Sequence, residues 1–235
     1  MVHAVVLRRQ GSRRRSRSAR EATDTMKKLF VAVICSAIVV GALGAVAADP
    51  SLYGPTGLVV MPTADSLGFG QANGFVNYLD FDGDDSTVFG ANAGVGMGIE
   101  LGIASLHNGG SETIVNAKWN LKRETLLTPG IAIGVIDITE SLKGDMEPYV
   151  VLSKRLSVPA SSVAVSGHLG YVAGDWDEVM IGASVDLTSK LQLMADYIDD
   201  FSIGARYAVT DDFKVGVSSV DGNMMLSASY RFGLK

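Results

Sequence analysis

The stretch ARYAVTDDFKVGVS, residues 205–218, alternates with a period of two. Ala205, Tyr207 and Val209 fall on one face, Arg206 and Ala208 on the other. After Thr210-Asp211-Asp212 the alternation resumes, with Phe213, Val215 and Val217 set against Lys214, Gly216 and Ser218. Such a pattern predicts a hairpin with one apolar face. What that face meets decides the fold: the core of a soluble sandwich, or lipid.

Two other stretches repeat the unit, AGVGMGIELGI at 93–103 and SVDLTSKLQLMADY at 184–197. No segment after Asp49 has a helical period. Apolar residues recur at spacing two, and turn clusters interrupt them about every 8–12 residues. Twelve strands are predicted, over 73–81, 86–95, 98–106, 111–121, 130–138, 147–155, 161–172, 178–187, 191–198, 201–209, 213–220 and 223–234. The weak points are GIAIGVIDI, apolar on both faces, and Pro148, close to a strand start.

The turns fall into two classes. VGM at 95–97, TSK at 188–190 and TDD at 210–212 are tight. DGDD at 82–85, HNGG at 107–110, TESLKGDME at 139–147, AGDWD at 173–177, DD at 199–200 and DG at 221–222 are acidic or glycine-rich. In a twelve-strand count the classes alternate, so tight turns gather at one end with the termini. The connections at 122–129 and 156–160 belong to that end but are longer. A Greek-key sandwich has no need of this asymmetry. An up-and-down outer-membrane barrel has short periplasmic turns, longer outer loops and an even strand number.

The face opposite the apolar one is mostly small. It carries Gly90, Gly94, Gly102, Gly134, Gly170, Gly182, Gly204, Gly216 and Gly233, with Ser166, Ser184, Ser202, Ser218, Ser227 and Ser229. A sandwich would show long polar side chains to water there. Glycine weakens a strand unless something crowds its side-chain space, and the inside of a narrow barrel does so. Glu100, Lys118, Asp186, Asp196, Arg206, Lys214 and Arg231 share that face. They are the candidate lumen-lining residues, expected to pair with one another and to control passage. On the apolar face aromatics gather toward the ends: Trp119, Tyr207, Phe213, Tyr230 and Phe232 at one, Tyr171, Tyr197 and Phe201 at the other. Two such girdles around an aliphatic band suit a bilayer. The expectation is therefore an all-β fold: an up-and-down antiparallel transmembrane barrel of about twelve strands in the outer membrane. The rival is a soluble secreted β-sandwich binding module.

The N-terminus reads as targeting sequence. MKKLFVAVICSAIVVGALGAVAADP, from Met26, has a basic start, an apolar run and small residues before Asp49, so 26–48 is expected to be a signal peptide. Ile34 stands where a lipoprotein signal needs a small residue before Cys35, the chain's single cysteine. No disulfide or Cys-based metal site is available. Residues 1–25, rich in Arg and Ser, are read as an extended or non-native leader. Residues 1–48 carry nine of the 20 Lys and Arg but two of the 25 Asp and Glu, so the remainder has a net charge of −12. That acidity disfavours a nucleic-acid partner. Residues 49–72 form an N-terminal segment expected to plug the lumen or lie against the periplasmic mouth, and 73–235 the barrel.

Within that segment GPTGLVVMPTA, residues 54–64, with Gly57-Leu58 and Met61-Pro62-Thr63-Ala64, resembles the start of the YjbH-like family of bacterial outer-membrane proteins. The resemblance covers about residues 51–78. It implies a link to exopolysaccharide production and export, with polysaccharide-export proteins as partners. Family members are usually much longer. The final strand, MMLSASYRFGL, resembles the C-terminal strand that the outer-membrane assembly machinery recognises, without the usual terminal aromatic. The partners expected are thus outer-membrane lipid, that machinery and export proteins.

Catalytic sets are weak. Ser166 and His168 share one face, but it is the lumen face, where a lipid substrate would not reach. His107 reads as a loop residue. Residues 80–85, DFDGDD, lack the spacing of a calcium loop, and GVGMGIELG does not precede a helix, so it is no dinucleotide motif. A non-enzymatic protein without cofactor or metal is expected: a narrow pore, or an accessory of polysaccharide export. An outer-membrane phospholipase is a further alternative.

Overall fold

In the computed structural model, which describes residues 49–81, 84–142, 144–157 and 163–233, the alternating stretches become twelve strands. In chain order they are β1 (Gln71–Phe81), β2 (Asp84–Gly96), β3 (Ile99–His107), β4 (Ser111–Lys122), β5 (Gly130–Ile136), β6 (Glu147–Ser157), β7 (Ala164–Val172), β8 (Glu178–Asp186), β9 (Leu191–Ile198), β10 (Asp200–Ala208), β11 (Phe213–Val220) and β12 (Asn223–Gly233). The leader, the signal peptide and Cys35 lie outside the described residues.

Each strand pairs antiparallel with its neighbours in sequence, and β1 closes the sheet on β12, with Gln71 opposite Gly233 and Asp80 opposite Met224. The result is one closed barrel, not two stacked sheets, which overturns the sandwich alternative. Closure leaves no free edge of backbone N–H and C=O groups, the condition for a sheet to sit in hydrocarbon. Strand ends fall close to the expected positions. β5 stops at Ile136 rather than 138 because Asp137 takes a left-handed conformation (φ 57°) and turns the chain. The same device recurs at the loop end, where Asp177, Asp199 and Asp221 have φ of 45°, 62° and 48°. Asp tolerates this conformation better than most residues.

The outward face is apolar. Ile103 is 57% exposed at the middle of β3, and Leu169, Ile181 and Ile203 are similarly bare. Exposed Trp119, Tyr230 and Phe232 lie toward the tight-turn end, with Phe89, Tyr171, Tyr197 and Phe201 toward the loop end. Tyr207 and Val215 share the outward register but are only 7% and 4% exposed. A closed barrel with an apolar band between aromatic levels is an outer-membrane architecture, its short turns on the periplasmic side.

Candidate functional site: a lumen filled by the chain's own N-terminal segment

Residues 49–70 precede β1 and run inside the barrel. Only two isolated bridges, Pro50 with Thr56 and Gly57 with Pro62, give this segment regular pairing. Most of its backbone polar groups must therefore be satisfied by something else, because unpaired buried N–H and C=O groups are costly. The inward side chains of the wall do this. Asn77 Nδ2 donates to the carbonyls of Ser51 (3.3 Å) and Leu52 (2.9 Å), Asn92 to Gly54 (2.7 Å) and Asn116 to Tyr53 (2.8 Å). Asn120 donates to the Ala64 carbonyl. Ser153 Oγ accepts from the Ala64 N–H at 2.8 Å.

The charged candidates follow the same logic. Asp196 accepts from three successive N–H groups, those of Val59 (2.7 Å), Val60 (3.2 Å) and Met61 (3.5 Å), at the tip of the 57–62 turn. Three donors around one oxygen stabilise a carboxylate in a buried place. Glu100, 2% exposed, accepts from the Thr56 N–H (2.8 Å), the Thr56 hydroxyl (2.5 Å) and the Leu67 N–H (2.9 Å). Lys118 Nζ lies 3.3 Å from Glu100 and donates to the Thr56 carbonyl at 3.0 Å. Arg206 donates to the carbonyls of Pro50 (3.1 Å), Gly57 (3.4 Å) and Leu58 (3.2 Å). Lys214 and Arg206 flank the Asp49 carboxylate at 2.6 and 3.6 Å.

All seven candidates point inward, and among the described residues the expected mutual pairing is seen for Glu100 with Lys118. Asp196, Arg206 and Lys214 are matched to the plug instead. Asp186 pairs with Arg155 and accepts from Gln192 at 3.0 Å, and Arg231 lies 3.3 Å from Asp212 near the periplasmic rim. Asp186, Asp196, Arg206, Lys214 and Arg231 lie on the consecutive strands β8 to β12, and for Asp196, Arg206 and Lys214 the groups within bonding range belong to the plug.

The glycine-rich inner face makes room for the plug. A Cβ on Gly182 would sit 2.6 Å from Leu58 Cδ1, and one on Gly94 would sit 2.1 Å from the Gly68 carbonyl oxygen. Toward the outer end, plug and wall meet in dry contact. Leu52, Leu58 and Val59 pack with Phe75, Leu79, Val88, Ile114 and Met225. Met61 and Ala64 pack with Ile136, Tyr149, Val151 and Met180. Toward the periplasm a polar cavity of about 190 Å³ remains between the plug and β6–β9, lined among others by Ser166, Ser184, Asp186 and Gln192. His168 also lines it, with Nδ1 2.8 Å from Ser153 Oγ, so the nearest serine partner is not Ser166. His107 ends β3 on the outside, 3.4 Å from Ser105 Oγ.

Sequence reasoning missed the asparagines. Asn73, Asn77, Asn92, Asn116 and Asn120 all fall in the inward register, at strand positions that Asn seldom favours. That mismatch was the available signal that a backbone, not water, lies opposite them.

Fold and lumen together define an outer-membrane β-barrel whose interior holds its own N-terminal segment. No family model matches the chain, and no curated protein matches it in sequence. Among solved structures it is similar to the KdgM porin, with a TM-score of 0.48 and 11% identity over 70% of this chain and 99% of that one. The KdgM porin in complex with disordered oligogalacturonate gives a TM-score of 0.49 at 13% identity, over 70% and 99%. The outer-membrane protein Omp33 of Acinetobacter baumannii gives 0.44 at 8%, over 70% and 98%. These are likenesses of overall fold.

Proposed function

We propose that the protein is an outer-membrane channel held shut by residues 49–70. The observation that carries this reading is the matching of wall to plug. Glu100, Asp196, Arg206 and Lys214 each bind plug atoms within hydrogen-bonding or ion-pair range. If the plug left, those same groups would line the lumen together with apolar wall residues such as Leu79, Val88, Ile114, Ile136 and Met180. The resemblance of residues 51–78 to the YjbH-like family points to exopolysaccharide export as the setting, with export proteins as partners. No catalytic step is assigned, since Ser166 and His168 face the lumen side, away from lipid.

The test is electrical. In planar bilayers the intact protein should be silent, and a variant lacking residues 49–70 should conduct. A conducting intact protein, or a correctly closed deletion variant that stays silent, would contradict the reading.

A further inference from the structure

The outer mouth is covered by two loops that read, in sequence, as solvated acidic connections. The β5–β6 loop places Leu142 against both apolar clusters of the lumen, and the β7–β8 loop places Trp176 against one of them. The Trp176 ring lies 5.8 Å from that of Tyr53, on the plug's outer side. Each loop is held in by a buried carboxylate: Asp137 at the start of the β5–β6 loop itself, and Glu147, the first residue of β6, for the β7–β8 loop. Asp137, fully buried, accepts from the Leu142 N–H at 2.5 Å and from the Thr139 hydroxyl at 2.7 Å. Glu147, 1% exposed, accepts from the N–H groups of Asp175 (3.2 Å) and Trp176 (3.3 Å). Gly174, at φ 90°, lets the loop pass so close that a Cβ there would meet Glu147 Oε2 at 2.6 Å. Carboxylates at the outer end of a barrel have water freely available, so burying two of them needs a reason. Here each holds a loop across the mouth.

We propose that these two loops are a lid that opens separately from the plug and ahead of it. The inference rests on the shut-channel reading and deepens it. Unequal fastening supports it. The plug is bound by ten described inward side chains on eight of the twelve strands: Asn77, Asn92, Glu100, Asn116, Lys118, Asn120, Ser153, Asp196, Arg206 and Lys214. The two lid loops are tied mainly to two strands. In β4 the Thr113 carbonyl accepts from the Thr139 and Ser141 hydroxyls and the Val115 carbonyl from the Ile138 N–H. In β6 Glu147 accepts from Asp175 and Trp176, while Leu142 and Trp176 are only partly buried. Segments with fewer buried contacts open at lower free energy. Lifting the lid exposes Tyr53 and Val60, the partly buried outer residues of the plug, while Val59 stays bound to Asp196. The outer face of the plug is then the surface that an external solute meets first.

The experiment labels intact cells with a membrane-impermeant maleimide, in a Cys35→Ser background. Tyr53→Cys should react at least about tenfold faster when Glu147→Ala is added, as expected for loss of hydrogen bonds to a charged group, and faster also with Trp176→Ser, which removes the ring that lies over position 53. Val59→Cys should remain unlabelled over the same time. Equal acceleration at both cysteines would mean that plug and lid move as one, and no acceleration in either lid variant would mean there is no lid; each overturns the proposal. A heat-modifiable gel band checks that each variant has closed, and Trp176→Ser alone carries the test should Glu147→Ala not assemble. The readout needs no conductance, so its failure is separable from failure of the channel reading.

Discussion

Glu100→Ala is expected to be the most damaging single substitution inside the barrel. Glu100 is buried, binds Thr56 through both N–H and hydroxyl, binds Leu67 N–H, and neutralises Lys118 at 3.3 Å. Removing it leaves Lys118, 2% exposed, without its counter-charge and frees the plug at both Thr56 and Leu67. Breaking one side of a buried ion pair typically costs about 3–5 kcal/mol. The effect should appear as a marked fall in the temperature at which the closed band disappears on gels. Glu100→Ala with Lys118→Met should recover part of the loss, because the orphaned charge goes while the unbound plug groups remain. Equal instability of the single and double variants would show that the ion pair is not what Glu100 contributes.

Ile103→Lys is expected to have the largest effect on the outer surface. Ile103 stands midway along β3, opposite Ala91 and Val115 on its neighbours, and points away from the lumen. A Lys at the bilayer midplane of such a barrel costs about 2–4 kcal/mol. Folding into lipid vesicles, followed by denaturant titration, should show a loss of that order. The same change at Thr188, in a periplasmic turn, should be close to neutral. If Ile103→Lys were as harmless as Thr188→Lys, the apolar band would not be facing hydrocarbon.

The strands, their number and the side each residue faces were legible in the sequence because a period of two is a strictly local signal. Phe213–Val220 and Leu191–Ile198 fall where alternation puts them. Glycine on the inner face announced that something crowds it, and GPTGLVVMPTA stood out as a candidate plug. What could not be read was which group answers which charge. Asp196 and Val59 are 137 residues apart in the chain, and Lys214 and Asp49 are 165 apart. Their meeting depends on the path of a segment with almost no regular structure. Asp137 and Glu147 were hidden for another reason. Asp137 falls at the end of the expected strand 130–138 and Glu147 at the start of the expected strand 147–155, and a period of two does not say that a carboxylate at a strand end is turned in to hold a loop.

A stretch of chain with almost no regular structure is kept ordered in the lumen by the wall's side chains. Hydrogen exchange on the protein reconstituted in lipid reads this directly. The N–H groups of Thr56, Val59, Ala64 and Leu67 are expected to exchange slowly, and Val59 alone among them to speed up strongly when Asp196 is changed to Ala. Exchange of all four at the rate of a free tail, in a barrel whose strands stay protected, would contradict that ordering.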